Sequence, residues 1–203
     1  MTGVQTCALP IWISSLIAKY VTRCLPSLSN PDGGYGRVVI SEWSVRPATT
    51  SAEDLRFLHE MLVEAFAWRP GSPRLTVSEA IAMPHVAKYV AGWGRAGDTG
   101  ALADANRIRL GACWYRLFTE ADHGYGFVEA RIPELTLAVR ADARGRGIGS
   151  ALLASVAARA RQEGHGSLSL SVEDDNPARR LYARAGFVPV ARVENASTMR
   201  LDL

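Results

Sequence analysis

Apolar positions fall at helical spacing in some stretches of the chain and alternate with polar ones in others. Ala52–Phe66 places Leu55, Leu58, Met61, Leu62, Ala65 and Phe66 on one face, which predicts an amphipathic helix. Ile148–Glu163 does the same with Ile148, Leu152, Leu153, Val156 and Ala160. A further helical segment, Ser78–Val90, has Ser78 as its cap and Pro84 as a break. Strands are predicted at Glu42–Pro47, near Ala101–Ala103, at Ile108–Phe118 with Gly111 inside, at Leu135–Arg140 and at Leu168–Val172, followed by a terminal hairpin around Val188–Val193 and Thr198–Leu201. Asn176-Pro177 reads as cap and first residue of a short helix that stops at Gly186. Trp93–Gly100 and Thr119–Pro133 are loops, the second containing Asp122-His123-Gly124-Tyr125-Gly126. This order of elements gives an α/β domain, a mixed sheet covered by helices, without repeats or heptads.

The first 37 residues break the pattern. Thr2–Ile11 resembles the conceptual translation of a common sequencing-adapter oligonucleotide, and Ser27–Gly36 is rich in Ser, Pro and Gly without periodicity. Residues 1–37 are therefore expected to be an artefactual or disordered extension that adds nothing to the fold, with a real amphipathic extension as the alternative, and 38–203 a single domain. The apolar run Ala8–Ala18 lacks a basic segment before it, which argues against a signal peptide, and it is too short to span a bilayer.

Composition narrows the class only slightly. The chain has 203 residues, 48% of them apolar, with a net charge of +3. Its basic residues are scattered and form no stripe with interleaved aromatics, so no nucleic-acid partner is expected. The three cysteines, Cys7, Cys24 and Cys113, and the four histidines have no metal spacing, so no metal is expected either. A reducing cytoplasm is the natural setting.

Candidate chemistry begins at Arg144-Gly145-Arg146-Gly147-Ile148-Gly149-Ser150, between an apolar strand and a long helix. Glycines let the backbone approach a ligand, and the free amides and dipole of a helix start favour phosphate. Spacing excludes a P-loop, which needs Gly-Lys-Ser/Thr, and a dinucleotide turn, whose third glycine would fall at Ser150 or Leu152. The string fits Arg/Gln-x-x-Gly-x-Gly. A second block follows one strand later, Ser-Val-Glu-Asp-Asp-Asn-Pro-Ala-Arg-Arg-Leu-Tyr-Ala-Arg-Ala-Gly-Phe, with Asn176, Tyr182 and Gly186-Phe187 in register. Together the two blocks resemble the cofactor-binding half of the GNAT superfamily of N-acyltransferases. The match is close over roughly Leu135–Val190, whereas Ser44–Gly111 matches only in its order of elements.

That resemblance implies a mostly antiparallel twisted sheet of about six or seven strands with about four flanking helices. It implies acetyl-CoA as cosubstrate and acyl transfer to the primary amine of a small molecule or peptide. The pyrophosphate would lie on the amides of Arg144, Gly145, Arg146, Gly147, Ile148, Gly149 and Ser150, with arginine side chains as helpers. The strand residues Leu137, Ala138 and Val139 would pair with the pantetheine arm and supply an oxyanion amide. Asn176 and Arg179 would contact the cofactor, and Tyr182 would protonate the leaving thiolate. Glu134 and Glu129 are the candidate general bases. Glu134 lies one residue from the spacing used in some members, an offset that a bulge at Pro133 would reset. Trp68, Trp93, Trp114, Tyr115, Phe118 and Tyr125 are candidate walls of an acceptor pocket, and Glu64, Asp122, Glu129 and Glu134 candidate attractors of a cationic amine. The expected enzyme acts as a monomer or homodimer, away from membranes. A non-catalytic acyl-CoA-binding module of the same fold is the rival, separable by whether a tyrosine and a carboxylate converge at the thioester. A nucleotide-binding protein of another family, with a loop preferring ATP over CoA, is a third reading.

Overall fold

The structure, a computed structural model, describes residues 42–69, 71 and 75–203. The expectations for Thr2–Ile11 and for residues 1–37 lie outside the described residues.

Seven strands make one sheet: β1 (Ser44–Pro47), β2 (Thr99–Ala105), β3 (Ile108–Arg116), β4 (Glu134–Val139), β5 (Ser167–Glu173), β6 (Val188–Val193) and β7 (Ala196–Asp202), in the order β1-β2-β3-β4-β5-β7-β6. Every pairing is antiparallel except β4 with β5. The helices are α1 (Ala52–Phe66), α2 (Val77–Ala82), α3 (Pro84–Ala87), α4 (Ile148–Gln162) and α5 (Ala178–Arg184), with a single 3-10 turn at Ala141–Ala143. Among the described residues there are five helices rather than about four, because Pro84 splits the second helical segment. Its cap is Thr76, not Ser78: Thr76 and Glu79 form a reciprocal capping box that begins the helix two residues earlier.

Alternation along the strands sends side chains to two cores. Cys113, Tyr115, Leu135, Val139, Leu168, Leu170 and Val172 meet α4 through Leu152, Leu153 and Val156, and α5 through Tyr182. Leu102, Ala112, Trp114 and Ala138 meet α1 through Phe57, Leu58, Met61 and Leu62. Gly111 lets β4 lie close to β3, because a Cβ there would press on the Ala138 carbonyl at 2.9 Å. Among the described residues, no helix is long and apolar enough to cross a membrane.

One irregularity positions the site. β4 is paired along its whole length with β3, from Arg116↔Glu134 to Gly111↔Val139. On its other side it pairs with β5 only at Glu134↔Ser169. The Arg140 amide bonds the Leu110 carbonyl (2.9 Å), and in an antiparallel ladder alternate residues face the partner. Leu135, Leu137 and Val139 therefore turn their amides and carbonyls away from β3, toward β5. Beyond the single pair, the backbone groups of Leu137 and Val139 border a gap between two diverging strands.

Candidate functional site

The glycine-rich turn closes this gap at the carboxyl end of β4. Gly145 (φ +75°) and Gly147 (φ +80°) adopt left-handed backbone, a conformation that favours glycine, and nothing lies near either Cα where a side chain would go. Gly147 caps α4, whose first internal bond runs from Ala151 N to Gly147 O, and no side chain caps the helix. The amides of Ile148, Gly149 and Ser150 thus form an uncapped start of a 15-residue helix. Gly149 serves packing: a Cβ there would come within 3.3 Å of Leu181 and 3.8 Å of Leu137 and Val139, so its absence lets α4 approach α5 and β4.

The side chains around this turn are committed elsewhere. Arg144, expected to help hold pyrophosphate, donates to the Val139 carbonyl (3.1 Å) and to Glu64 of α1 (2.6 Å). Arg179 pairs with Asp174 at 3.1 Å. Asn176 accepts the Ala178 amide (2.9 Å) and so caps α5, although the helix proper begins after Pro177. What the turn and the gap offer a ligand is therefore mainly backbone: the amides of the turn, and Leu137 and Val139 along the gap.

At the opposite end of β4 stands Glu134, buried at the point where β4 and β5 meet. The β3–β4 register runs unbroken from Glu134, so Pro133 makes no bulge there; its carbonyl instead accepts the Ser169 amide at 3.0 Å. Glu134 Oε1 accepts the Tyr89 hydroxyl (2.7 Å) and the Gly126 amide (2.8 Å), while Oε2 has no hydrogen-bond partner. Tyr89 in turn accepts the Tyr125 amide (2.7 Å), which ties the loop after β3 to the carboxylate. Burial pushes the Glu134 carboxyl up to about 7, against the opposing pull of Tyr89, Gly126, His123 and Lys88. Arg116, its neighbour on β3, does not pair with it, because that guanidinium is committed to Asp98 and to the carbonyls of Lys88 and Ala91. A carboxyl poised near neutrality with one open oxygen suits proton transfer at physiological pH.

The other candidates are placed as follows. Tyr182 is buried on the opposite face of the sheet from Glu134, edge-on to Phe187 at 5.8 Å. Its hydroxyl has no hydrogen bond among the described residues, and burial, with the Cys113 thiol nearby, raises its pKa above the usual tyrosine value. Glu129 forms a surface pair with Arg131 at 3.1 Å. Glu64 holds Arg144, and Asp122 is bound to Lys88. Trp114 and Tyr115 are fully buried core and not pocket wall; the Trp114 indole donates to the Tyr89 carbonyl at 2.9 Å, and Tyr115 bonds Glu163. Phe118 packs on Tyr89 at 5.3 Å. Phe66 and Tyr125 line the same cluster, each ring about 6 Å from that of Tyr89. Among the described residues, no three metal-ligating side chains cluster.

Three residues of this constellation were not singled out in the sequence. Tyr89 stands at the end of a helical segment with no periodic signal. Ser169 reads as the polar half of an alternating strand. Gly126 had one readable clue, the spacing Gly124-Tyr125-Gly126 in a loop, because paired glycines mark close backbone approach. Both glycines are so required: a Cβ on Gly124 would collide with Glu134 Oε2 and the Tyr89 hydroxyl, and one on Gly126 with the backbone of Leu170 and Ser171.

Comparison with known proteins places this fold among acetyltransferases. Residues 89–187 match the acetyltransferase (GNAT) family, the stretch that carries Tyr89, Glu134, the glycine-rich turn and Tyr182. Solved structures of similar fold include the GNAT domain of S. lividans PAT, at 22% identity and a TM-score of 0.58, covering 78% of this chain and 89% of that one. A ribosomal-protein-alanine N-acetyltransferase from Brucella melitensis aligns at 21% identity and a TM-score of 0.57, over 79% of this chain and 99% of its own. The PaiA N-acetyltransferase from Thermoplasma acidophilum, in complex with coenzyme A, aligns at 16% identity and a TM-score of 0.57, over 79% and 99%. No curated protein matches the chain. Residues 89–187 thus match the GNAT acetyltransferase family, and the fold of the chain is that of these acetyltransferase structures.

Proposed function

We propose that the protein is an acetyl-CoA-dependent N-acetyltransferase that acts on the primary amine of a small molecule or peptide. The observation that carries this reading is Glu134: a buried carboxyl at the apex of the β4–β5 gap, pushed up to about 7, with one oxygen unpartnered. The cosubstrate assignment is supported by the uncapped start of α4 behind two left-handed glycines, and by the backbone groups that border the gap. Bound acetyl-CoA supplies an activated acyl group, so the chain need only position reactants and manage protons.

The amides of Gly147, Ile148, Gly149 and Ser150 hold the pyrophosphate. Leu137, Ala138 and Val139 form the rail for the pantetheine arm, and the Leu137 amide faces the developing oxyanion. Glu134 Oε2 accepts the proton of the acceptor ammonium, leaving the nitrogen lone pair to attack. Tyr182 returns a proton to the departing sulfur. Glu129, on the surface, is the weaker candidate base.

A screen of primary amines, read by thiol release from acetyl-CoA, tests the proposal. Amine-dependent release that disappears in Glu134→Gln supports it. Acetyl-CoA binding in calorimetry with no release above background for any amine overturns it. A second reading, a non-catalytic acyl-CoA-binding module, is favoured by Tyr182, whose ring packs in the core across the sheet from Glu134 and whose hydroxyl has no hydrogen bond among the described residues. The same screen separates the two.

A further inference from the structure

The single pair between β4 and β5 sets two polar side chains next to each other. Parallel neighbours in register project to the same face, so Glu134 and Ser169 stand side by side where the strands part. Both are buried, Ser169 completely. Glu134 Oε2 and Ser169 Oγ each lack a hydrogen-bond partner. Buried polar atoms are nearly always paired, and two orphans on adjacent strands at one point of a cleft call for a ligand.

The flanking residues define what that ligand is. Along the same row lie Arg116 on β3 and Arg200 on β7, in register with Glu134 and Ser169. Arg116 is committed to Asp98, and Arg200 lies within 3.3 Å of Asp202, so neither neutralises Oε2. Glu134 Oε1 is already saturated by Tyr89 and Gly126. What remains is one carboxylate oxygen and one hydroxyl able to accept or donate, with the Nε of Arg200, which lacks a hydrogen bond, beyond Ser169; the carboxylate makes an N–H donor the fitting ligand. Gly124 packs directly against Oε2, where any side chain would collide with it.

We propose that Ser169 Oγ and Glu134 Oε2 form a two-oxygen seat for the acceptor's ammonium group, with Ser169 a substrate-binding residue that aims the nitrogen. The seat rests on the acyl-transfer reading above. It adds Ser169 to the site and assigns the acceptor a donor-only cationic nitrogen. Carboxylate takes the proton; hydroxyl holds a second N–H and fixes the direction of the lone pair.

The test uses the full chain labelled with 13C at glutamate carboxyls, saturated with CoA, and titrated with ethylammonium chloride against a sodium chloride control. The Glu134 resonance is identified by its loss in Glu134→Gln. Wild type should show a saturable shift that sodium chloride does not reproduce. In Ser169→Ala the half-saturating concentration should rise at least about tenfold, the size expected for one hydrogen bond to a charged partner. The same variant should melt no lower than wild type, because it deletes an unpaired buried hydroxyl. Equal half-saturation in wild type and Ser169→Ala overturns the proposal, as does the absence of a saturable shift in a wild-type protein that binds CoA. A wild-type protein that binds no CoA in calorimetry instead overturns the reading beneath it.

Discussion

The two ends of strand β4 are built by opposite means. At its carboxyl end, the turn proposed to hold the cofactor is assembled from consecutive residues, Arg144–Ser150, and offers backbone: two left-handed glycines and the uncapped amides of a helix. At its amino end, the Glu134 niche is assembled from Tyr89, Gly126, Glu134 and Ser169, which come from four separate parts of the chain, and is made of side-chain atoms apart from the Gly126 amide. A site made of backbone tolerates side-chain changes but not changes of φ. A site made of side chains fails when a single atom is exchanged. Each prediction below tests one side of that contrast.

The largest effect is expected at Glu134. Glu134→Gln keeps an oxygen for Tyr89 and Gly126 and loses only the ability to take a proton. Turnover should fall by roughly three orders of magnitude, within the range of a positioned base, with acetyl-CoA affinity in calorimetry unchanged. In wild type, kcat/KM should climb as pH rises through about 7, where the carboxyl ionises, and level off above it. Stability should respond with the opposite sign. An unfolded glutamate ionises near about 4.3, so between that value and about 7 the folded chain keeps a proton that the unfolded chain has lost. Wild-type stability should therefore decline across this window as pH rises, and Glu134→Gln should melt higher than wild type at pH 8 but alike near pH 4. A carboxylate kept only to anchor the loop would give the stability response and leave turnover intact.

Tyr182 comes next. Tyr182→Phe preserves the ring that packs on Phe187 and removes the hydroxyl that nothing bonds. Turnover should drop by about two orders of magnitude, with the KM for acetyl-CoA little changed. Turnover near wild type would make Tyr182 a core aromatic and leave the thiolate to depart without a side-chain acid.

The same contrast explains what the sequence reveals. Local signals placed α1 at its observed Ala52–Phe66 and marked the glycine-rich turn into α4, because caps, periodicity and glycine spacing are properties of neighbouring residues. Even there, Arg144 reads as a phosphate ligand only until α1 brings Glu64 to it. Ser167, Ser169 and Ser171 alternate with Leu and Val, a pattern that predicts a wet face. Ser169 is nonetheless fully buried, while the 119–133 loop crosses β5 so closely at Gly126 that a Cβ would strike Leu170 and Ser171. Glu134 was legible as a carboxylate ahead of the strand. Its partner Tyr89 was not, since nothing in the chain between them encodes that meeting.

Gly147→Asp tests the backbone side directly. Gly147 holds φ +80°, so any side chain is strained, and aspartate adds a charge against the phosphates. Acetyl-CoA affinity should weaken at least about thirtyfold in calorimetry while the protein remains folded by circular dichroism. Unchanged affinity in a folded variant would remove the turn from the cofactor site.

The smallest effect is expected at Arg144, and it discriminates most sharply between the two modes of recognition. Its guanidinium is bonded to Glu64 and the Val139 carbonyl, with the side chain about half exposed. A half-exposed ion pair contributes below about 1 kcal/mol, so Arg144→Ala should shift the melting temperature only slightly. Pyrophosphate held by amides does not depend on this side chain, and Arg144 would have to leave Glu64 to reach it. Acetyl-CoA affinity should accordingly fall by no more than about threefold, far less than in Gly147→Asp. Calorimetry on the two variants side by side makes the comparison. If Arg144→Ala weakens binding as much as Gly147→Asp does, arginine side chains and not backbone amides carry the phosphates. The carboxyl end of β4 would then be a side-chain site after all, like the Glu134 niche at its other end.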